Sequence, residues 1–210
     1  MQKTDIQKFD IVEYNDAVEM MSVLQMQRIN GEISDTLLIM EHPEIVTVGP
    51  RARNDGIHPP EDYATQAVDL GGGLTWHGPG QLVVYPIIHW NKEDEKSVAS
   101  IIFKLEEWVI ESLSILGIEG YRDERMQGVW VEGKKICSIG LSFLRWVSRH
   151  GLTINYNTPT GRVENLAGCG LAESTTTSLH QLNHSVSRQE LEDALLSVYH
   201  KCMNLSLIHI

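Results

Sequence analysis

Residues 71–89 read Gly71-Gly72-Gly73-Leu74-Thr75-Trp76-His77-Gly78-Pro79-Gly80-Gln81-Leu82-Val83-Val84-Tyr85-Pro86-Ile87-Ile88-His89. Five glycines and a proline surround one histidine, so the backbone must approach something closely there, and an apolar run follows. A phosphate-cradling loop would open a helix and end in Gly-Lys-Ser/Thr; this stretch opens a strand, Leu82 to His89, and has no such ending. A nucleotide loop is therefore disfavoured, and a wide turn leading into a sheet is expected. His77 is open to either a geometric or a functional reading.

Working outward, Ser97 to Leu116 is the clearest helix, with Val98, Ile101, Ile102, Leu105, Trp108, Val109 and Leu113 inward and Gly117 as its stop. Gly128 to Glu132 and Lys135 to Leu144 alternate like strands around Glu132-Gly133, a pair suited to the left-handed dihedrals of a two-residue hairpin. Lys135 is thereby placed just past a turn. Upstream, Phe9 to Tyr14 reads as a strand and a helix from about Asp16 carries Ala17, Met20, Met21, Leu24 and Met26 up to Asn30-Gly31. Thr36 to Met40 and Ile45 to Val48 read as neighbouring strands across His42-Pro43, and Arg51 to Tyr63 as loop. Leu152 to Tyr156 is a further strand, and a last helix opens at Ser187, whose hydroxyl and Glu190 form a capping box. Strands dominate, with three main helices and no repeat or linker, so one mixed-sheet α+β domain over residues 1–210 is expected.

Composition limits the chemistry. The chain has 210 residues, 42% of them apolar, and a net charge of −11. No Lys/Arg run exceeds two residues, which argues against nucleic acid. No element approaches eighteen apolar residues, and Met-Gln-Lys-Thr-Asp at the amino terminus lacks a signal-peptide core, so a soluble cytoplasmic protein is expected. Three cysteines, Cys137, Cys169 and Cys202, show no Cys-x-x-Cys spacing and read as free thiols, Cys202 as a buried one on the last helix. His180 and His184 lack the glutamate of a zinc-binding helix and read as surface or capping residues; His42 and His150 read as turn residues. No metal site is expected.

Two separated elements name a reaction. Cysteine attacks a carbonyl as the thiolate, and a nearby ammonium favours that form, so Lys135 and the cysteine of Gly168-Cys169-Gly170 suit acyl transfer. Glycines on both sides leave the thiol accessible and offer backbone N–H groups to an oxyanion.

In order along the chain stand His77-Gly78-Pro79-Gly80-Gln81-Leu82, Gly128-Val129-Trp130-Val131, Lys135-Ile136 with Ile139-Gly140, Arg145-Trp146-Val147 with His150-Gly151-Leu152, then Cys169-Gly170 and Thr177-Ser178-Leu179. This series, within Glu41 to Leu182, resembles the lipoyl(octanoyl) transferase family. The resemblance implies a biotin/lipoate protein ligase-like catalytic fold and a ping-pong acyltransferase that moves an octanoyl group from acyl carrier protein to a lysine of a lipoyl domain. It implies Cys169 and Lys135 as the catalytic pair, and an acyl site lined by Leu70, Gly71, Gly72, Gly73, Leu74, Thr75, Trp76 and His77, by Ser138, Ile139 and Gly140, and by Gly151, Leu152 and Thr153. Neither ATP nor a metal is implied, because the donor is already a phosphopantetheine thioester. The acceptors it implies are the lipoyl domains of 2-oxoacid dehydrogenases and the glycine cleavage H protein, met by a monomeric enzyme.

Two residues depart from the family pattern: Leu70 stands where an arginine precedes Gly-Gly, and Gly168 where a proline precedes the cysteine. Arg51 and Arg53 are the candidates to supply the missing charge. Arg145, Arg149, Arg162, Lys134 and Lys135 are the candidates for a positive face toward acidic carriers. The alternatives are an ATP-dependent lipoate or biotin ligase on the same fold, and a weakly catalytic acyl-carrier binding module.

Overall fold

The computed structural model describes residues 4–68, 70, 72–166 and 175–203. In chain order these form β1 (Asp5–Ile11), α1 (Tyr14–Ile29), β2 (Thr36–Glu41), β3 (Ile45–Val48), α2 (Pro50–Asn54), β4 (Thr65–Ala67), β5 (Leu74–His77), β6 (Gln81–Ile87), α3 (Val98–Ile115), β7 (Tyr121–Asp123), β8 (Met126–Val131), β9 (Lys134–Leu144), β10 (Val147–Asn155) and α4 (Arg188–Met203). Short 3-10 turns lie at Glu93–Glu95 and His180–Leu182.

A seven-stranded sheet runs β1-β2-β6-β10-β9-β8-β7, and a three-stranded sheet runs β4-β3-β5. β1 and β2 are parallel, as are β3 and β4, and the remaining pairs are antiparallel. β6 is buried along its whole length because helices cover both faces of the large sheet. Its side chains alternate: Leu82 and Val84 join Leu37, Ile39, Leu105, Trp108 and Leu195 in the core under α3 and α4, while Val83 and Tyr85 join Leu38, Met40, Ala17 and Met21 under α1. A third, smaller core gathers Val46, Ala52, Tyr63, Leu74, Trp76, Val163 and Leu166 around the small sheet.

Local chemistry explains the ends of these elements. Ser97 Oγ accepts the Ser100 N–H at the start of α3, and Gly117, at φ 73°, follows its end. Ser187 and Glu190 form the expected capping box, Ser187 N–H to Glu190 Oε2 at 2.9 Å and Glu190 N–H to Ser187 Oγ at 3.2 Å. Glu132 and Gly133, at φ 49° and 79°, make the two-residue turn that joins β8 to β9.

The structure differs from the sequence reading in several places. β1 lies earlier than Phe9 to Tyr14, since it is a largely exposed edge strand with little alternation to read, and Tyr14 already belongs to α1. Met26 and Val98 are exposed rather than inward. β2 and β3 are not neighbours but belong to different sheets, and His42-Pro43 carries the chain from one to the other. α2 interrupts the expected loop at 51–63, tethered by Gly49 N–H to Gly73 O at 2.9 Å and Arg51 N–H to Gly72 O at 3.1 Å. β5 forms inside the expected wide turn because it pairs with β3, Ile45 opposite His77. β10 begins at Val147, five residues before Leu152, and a positive φ of 62° at His150 interrupts the strand pattern there.

Candidate active site

Both sheets contribute to one cavity of about 390 Å³. From the small-sheet side Leu70, Gly72, Leu74, Thr75, Trp76 and His77 line it; from β9 come Lys135, Ser138, Ile139 and Gly140, and from β10 Gly151, Leu152 and Thr153. Gly73 does not line it; its carbonyl holds the Gly49 N–H instead. Gly71 lies outside the described residues.

Register explains the flatness of the β9–β10 wall: Gly140 stands opposite Gly151, and Ile139 opposite Leu152. A Cβ on Gly151 would lie 2.1 Å from the Val84 carbonyl oxygen and 2.5 Å from Pro86 Cδ, so the sheet itself excludes a side chain there. Among the described residues, a Cβ on Gly140 would meet only Leu70, at 3.1 Å from Cδ2. Leu70 thus packs over the glycine and closes that part of the cavity with apolar surface.

Lys135 follows the β8–β9 turn and is buried, 5% exposed. Its stem crosses Gly128, where a Cβ would lie 2.7 Å from Lys135 Cε and 2.2 Å from the Cys137 carbonyl oxygen. Gly128 therefore clears the lysine's path. The Lys135 N–H donates to Thr175 O at 2.9 Å, and the Thr177 N–H donates to Lys135 O at 3.0 Å. Leu166 and Thr176, which precede and follow the stretch containing Cys169, both line the cavity that Lys135 lines. Cys169 itself, with Gly168 and Gly170, lies outside the described residues. The other two thiols are both buried. Burial pushes Cys137 up to about 12 despite Lys135 nearby, and pushes Cys202 up to about 11, so neither is a thiolate near neutrality.

A profile of the lipoyl protein ligase A/B catalytic domain family matches residues 13–200. The chain belongs to that family. Its relatives include octanoyltransferases of Rubrobacter xylanophilus, 37% identical over 202 residues with 92% of this chain and 90% of the relative covered, and of Caldicellulosiruptor saccharolyticus, 36% identical over 205 residues with 93% and 86% covered. The protein is an acyltransferase of this octanoyltransferase group. The fold recurs in a bipartite lipoate protein ligase from Thermoplasma acidophilum, with TM-score 0.69, 15% identity, and 97% and 84% of the two chains covered. It recurs again in a biotin protein ligase from Aquifex aeolicus, with TM-score 0.57, 13% identity, and 97% and 69% covered.

Sequence reasoning missed a buried histidine–tyrosine cluster in this octanoyltransferase. His42 and His150 were expected at turns; instead His42 is fully buried and His150 sits within β10 on the cavity. His42 Nδ1 donates to Val12 O at 2.7 Å, which leaves Nε2 to accept the Tyr85 hydroxyl at 2.8 Å. The His77 ring stacks on Tyr14 with centroids 5.6 Å apart and meets His42 edge-on at 5.7 Å. Burial drives all three imidazoles toward the neutral form, His77 down to about 3 and His150 down to about 4, His42 also lowered. Tyr14 is pushed up to about 12 by the same cause. The cluster is polar and uncharged at neutral pH. Only contacts between distant segments reveal it, so no local pattern marked it.

The charges also fall differently. Arg51 lines the cavity with Asp55 at 3.8 Å, whereas Arg53 turns away to donate to the Val48 and Val68 carbonyls, both at 2.7 Å. Of the expected positive face, Lys135 is buried and Arg162 is held by Glu44 at 2.6 Å and by Asp62, with its guanidinium over the Tyr63 ring. These two cannot present a basic surface. Arg149 donates to Ser22 Oγ at 2.7 Å, and Arg145 is exposed at the β9–β10 turn. His184 accordingly sits near the surface, 2.8 Å from Glu132. Among the described residues no group of three or more His, Cys, Asp or Glu is placed to hold a metal, and no helix is long and apolar enough to cross a membrane.

Proposed function

We propose that this enzyme moves an octanoyl group from the phosphopantetheine thioester of acyl carrier protein to a lysine of a lipoyl domain, through a thioester on Cys169. The observation that carries this reading is the meeting of Lys135, Leu166 and Thr176 at one cavity, with Cys137 and Cys202 buried and protonated elsewhere. The Cys169 thiolate attacks the donor carbonyl, the C–S bond to pantetheine breaks, and Lys135 supplies the proton to the departing thiol. An amine of the acceptor then attacks the octanoyl-enzyme, and Cys169 leaves as the thiolate. No ATP is needed, since a thioester is already activated toward an amine, and no metal is needed. The cavity, about 390 Å³, falls within the range of about 300–1,000 Å³ typical of small-molecule sites. Free buried thiols suit a cytoplasmic setting, where the acceptors would be lipoyl domains of 2-oxoacid dehydrogenases and the glycine cleavage H protein, served by a monomeric single-domain catalyst.

Intact-mass measurement after mixing with octanoyl carrier protein tests this reading. One octanoyl increment, removed by hydroxylamine and absent from Cys169→Ala, is expected, and transfer to a lipoyl domain should proceed without ATP. Transfer that survives Cys169→Ala, or that requires ATP and free acid, would overturn it.

A further inference from the structure

A buried chain of hydrogen bonds runs from the strand bearing Lys135 to His77, and it fixes the position of every hydrogen along the way. The Thr177 N–H donates to Lys135 O at 3.0 Å, and Thr177 O accepts from Asn155 Nδ2, also at 3.0 Å. Because a carbonyl can only accept, Asn155 must turn its nitrogen there and its Oδ1 toward Gln81, whose Nε2 donates to it at 2.8 Å. The second Nε2 hydrogen of Gln81 goes to Trp76 O at 2.8 Å, so Gln81 Oε1 faces His77 and accepts from Nδ1 at 2.9 Å. His77 is left with its hydrogen on Nδ1 and a bare lone pair on Nε2. That nitrogen has no hydrogen-bond partner among the described residues, and its ring borders the cavity, held against Tyr14.

A cavity atom that can only accept needs a ligand that donates. An octanoyl thioester has no N–H or O–H at its reacting end: the chain is hydrocarbon, and the carbonyl oxygen and sulfur only accept. The acceptor's lysine amine brings N–H groups to the same carbonyl. We propose that His77 Nε2 accepts a hydrogen bond from this amine as it attacks the octanoyl-enzyme, turning the nitrogen lone pair toward the carbonyl carbon, with Gln81 and Asn155 as positioning residues that act through His77. The inference rests on the proposed Cys169 reaction. In this step the N–C bond forms and the C–S bond breaks with its electron pair going to sulfur, which leaves as the thiolate, and the proton shed by nitrogen goes to the Lys135 amine, which gave its own proton to the pantetheine thiol in the first half-reaction. His77 holds the amine and takes no proton, since burial keeps its pKa near about 3.

The test separates the two half-reactions. Wild type, His77→Phe, His77→Gln and Gln81→Leu are loaded with octanoyl carrier protein, acyl-enzyme formation is followed by rapid quench and mass, and a lipoyl domain is then added in a single turnover. His77→Phe keeps the ring on Tyr14 and removes the lone pair; discharge slowed at least about tenfold more than acylation is expected. His77→Gln, which can offer a side-chain carbonyl, should recover part of the discharge rate, and Gln81→Leu should show the same split in weaker form. Normal acylation also certifies the fold of each variant; if His77→Phe fails to acylate, the split in Gln81→Leu decides the matter. Equal slowing of both steps, no slowing, or slowing confined to acylation overturns the proposal, the last pointing to the pantetheine amide as donor. A wild type that never acylates removes the Cys169 reading and this inference together, an outcome distinct from a His77→Phe enzyme that acylates and discharges normally.

Discussion

On one side of the cavity, Ser138 to Gly140 and Gly151 to Thr153 face each other across a regular antiparallel ladder; on the other, Leu74 to His77 belong to a three-stranded sheet, preceded by Gly72 and Gly73, whose carbonyls accept from the Arg51 and Gly49 N–H groups at the start of α2. The first wall is rigid because backbone meets backbone, as at Gly151 and Val84 O. The second is held by side chains and tethers that can give, as at Leu70 over Gly140. Lys135 is placed by the rigid wall, and Leu70 closes the cavity from the adjustable one.

The largest expected effect breaks the chemistry of the rigid wall without its shape. Lys135→Met retains an unbranched stem over Gly128 and should lower octanoyl transfer by about 10²–10⁴-fold, the usual worth of an acid–base group. Steady-state rates with octanoyl carrier protein check this, and a loss below tenfold would take Lys135 out of the mechanism.

Gly151→Ala breaks the shape instead. With the added carbon 2.1 Å from a strand carbonyl, the sheet must shift, and a loss of about 3 kcal/mol in urea unfolding is expected. A loss below about 1 kcal/mol would show that the β9–β10 wall also yields.

Acid probes the histidine cluster, to which His77 comes from the second side and His150 from β10 on the first. Their folded pKa values lie below the unfolded value, so the unfolded chain binds more protons between the two. The stability held by keeping them neutral is fully present above about pH 6.5 and is lost as pH falls toward about 4 for His150 and about 3 for His77. Each costs about 1.4 kcal/mol per pH unit in that window. Urea midpoints should therefore drop between pH 7.5 and 5.5, and the drop should shrink in His77→Phe; equal drops in both proteins would contradict the assignment.

The smallest effect sharpens the contrast. Gly140→Ala should cost under about 1 kcal/mol, because Leu70 need move only a few tenths of an ångström, and the cost should vanish in the Leu70→Ala background. Acyl-enzyme yields across a series of thioester lengths should shift toward shorter chains in Gly140→Ala and longer ones in Leu70→Ala. Unchanged length profiles in both would remove Leu70 from the acyl wall.

Much of the rigid wall could be read in advance. The Glu132-Gly133 turn, the strand after it and the capped helices α3 and α4 are written in local signals, because dihedral preference and side-chain periodicity act within a few residues. The lining positions 138–140 and 151–153 came with the family resemblance and coincide with the cavity. The adjustable wall is less legible: β5 lies where local signals point to a turn, α2 where they point to a loop, and β3 in a different sheet from β2, since these elements are fixed by hydrogen bonds to distant chain rather than by their own pattern.

The amino-acid sequence by itself determined the helix ends, the hairpin that sets Lys135 in place and the membership in an acyltransferase family. Only the tertiary structure decided that Arg51 rather than Arg53 reaches the cavity, that Arg162 is spent on Glu44 and Asp62, and that His42, His77 and His150 converge with Tyr14 and Tyr85. Local signals record how a residue sits on its own strand or helix. Which carbonyl or ring it meets from another sheet, and hence its proton and its partner, depends on how the sheets pack.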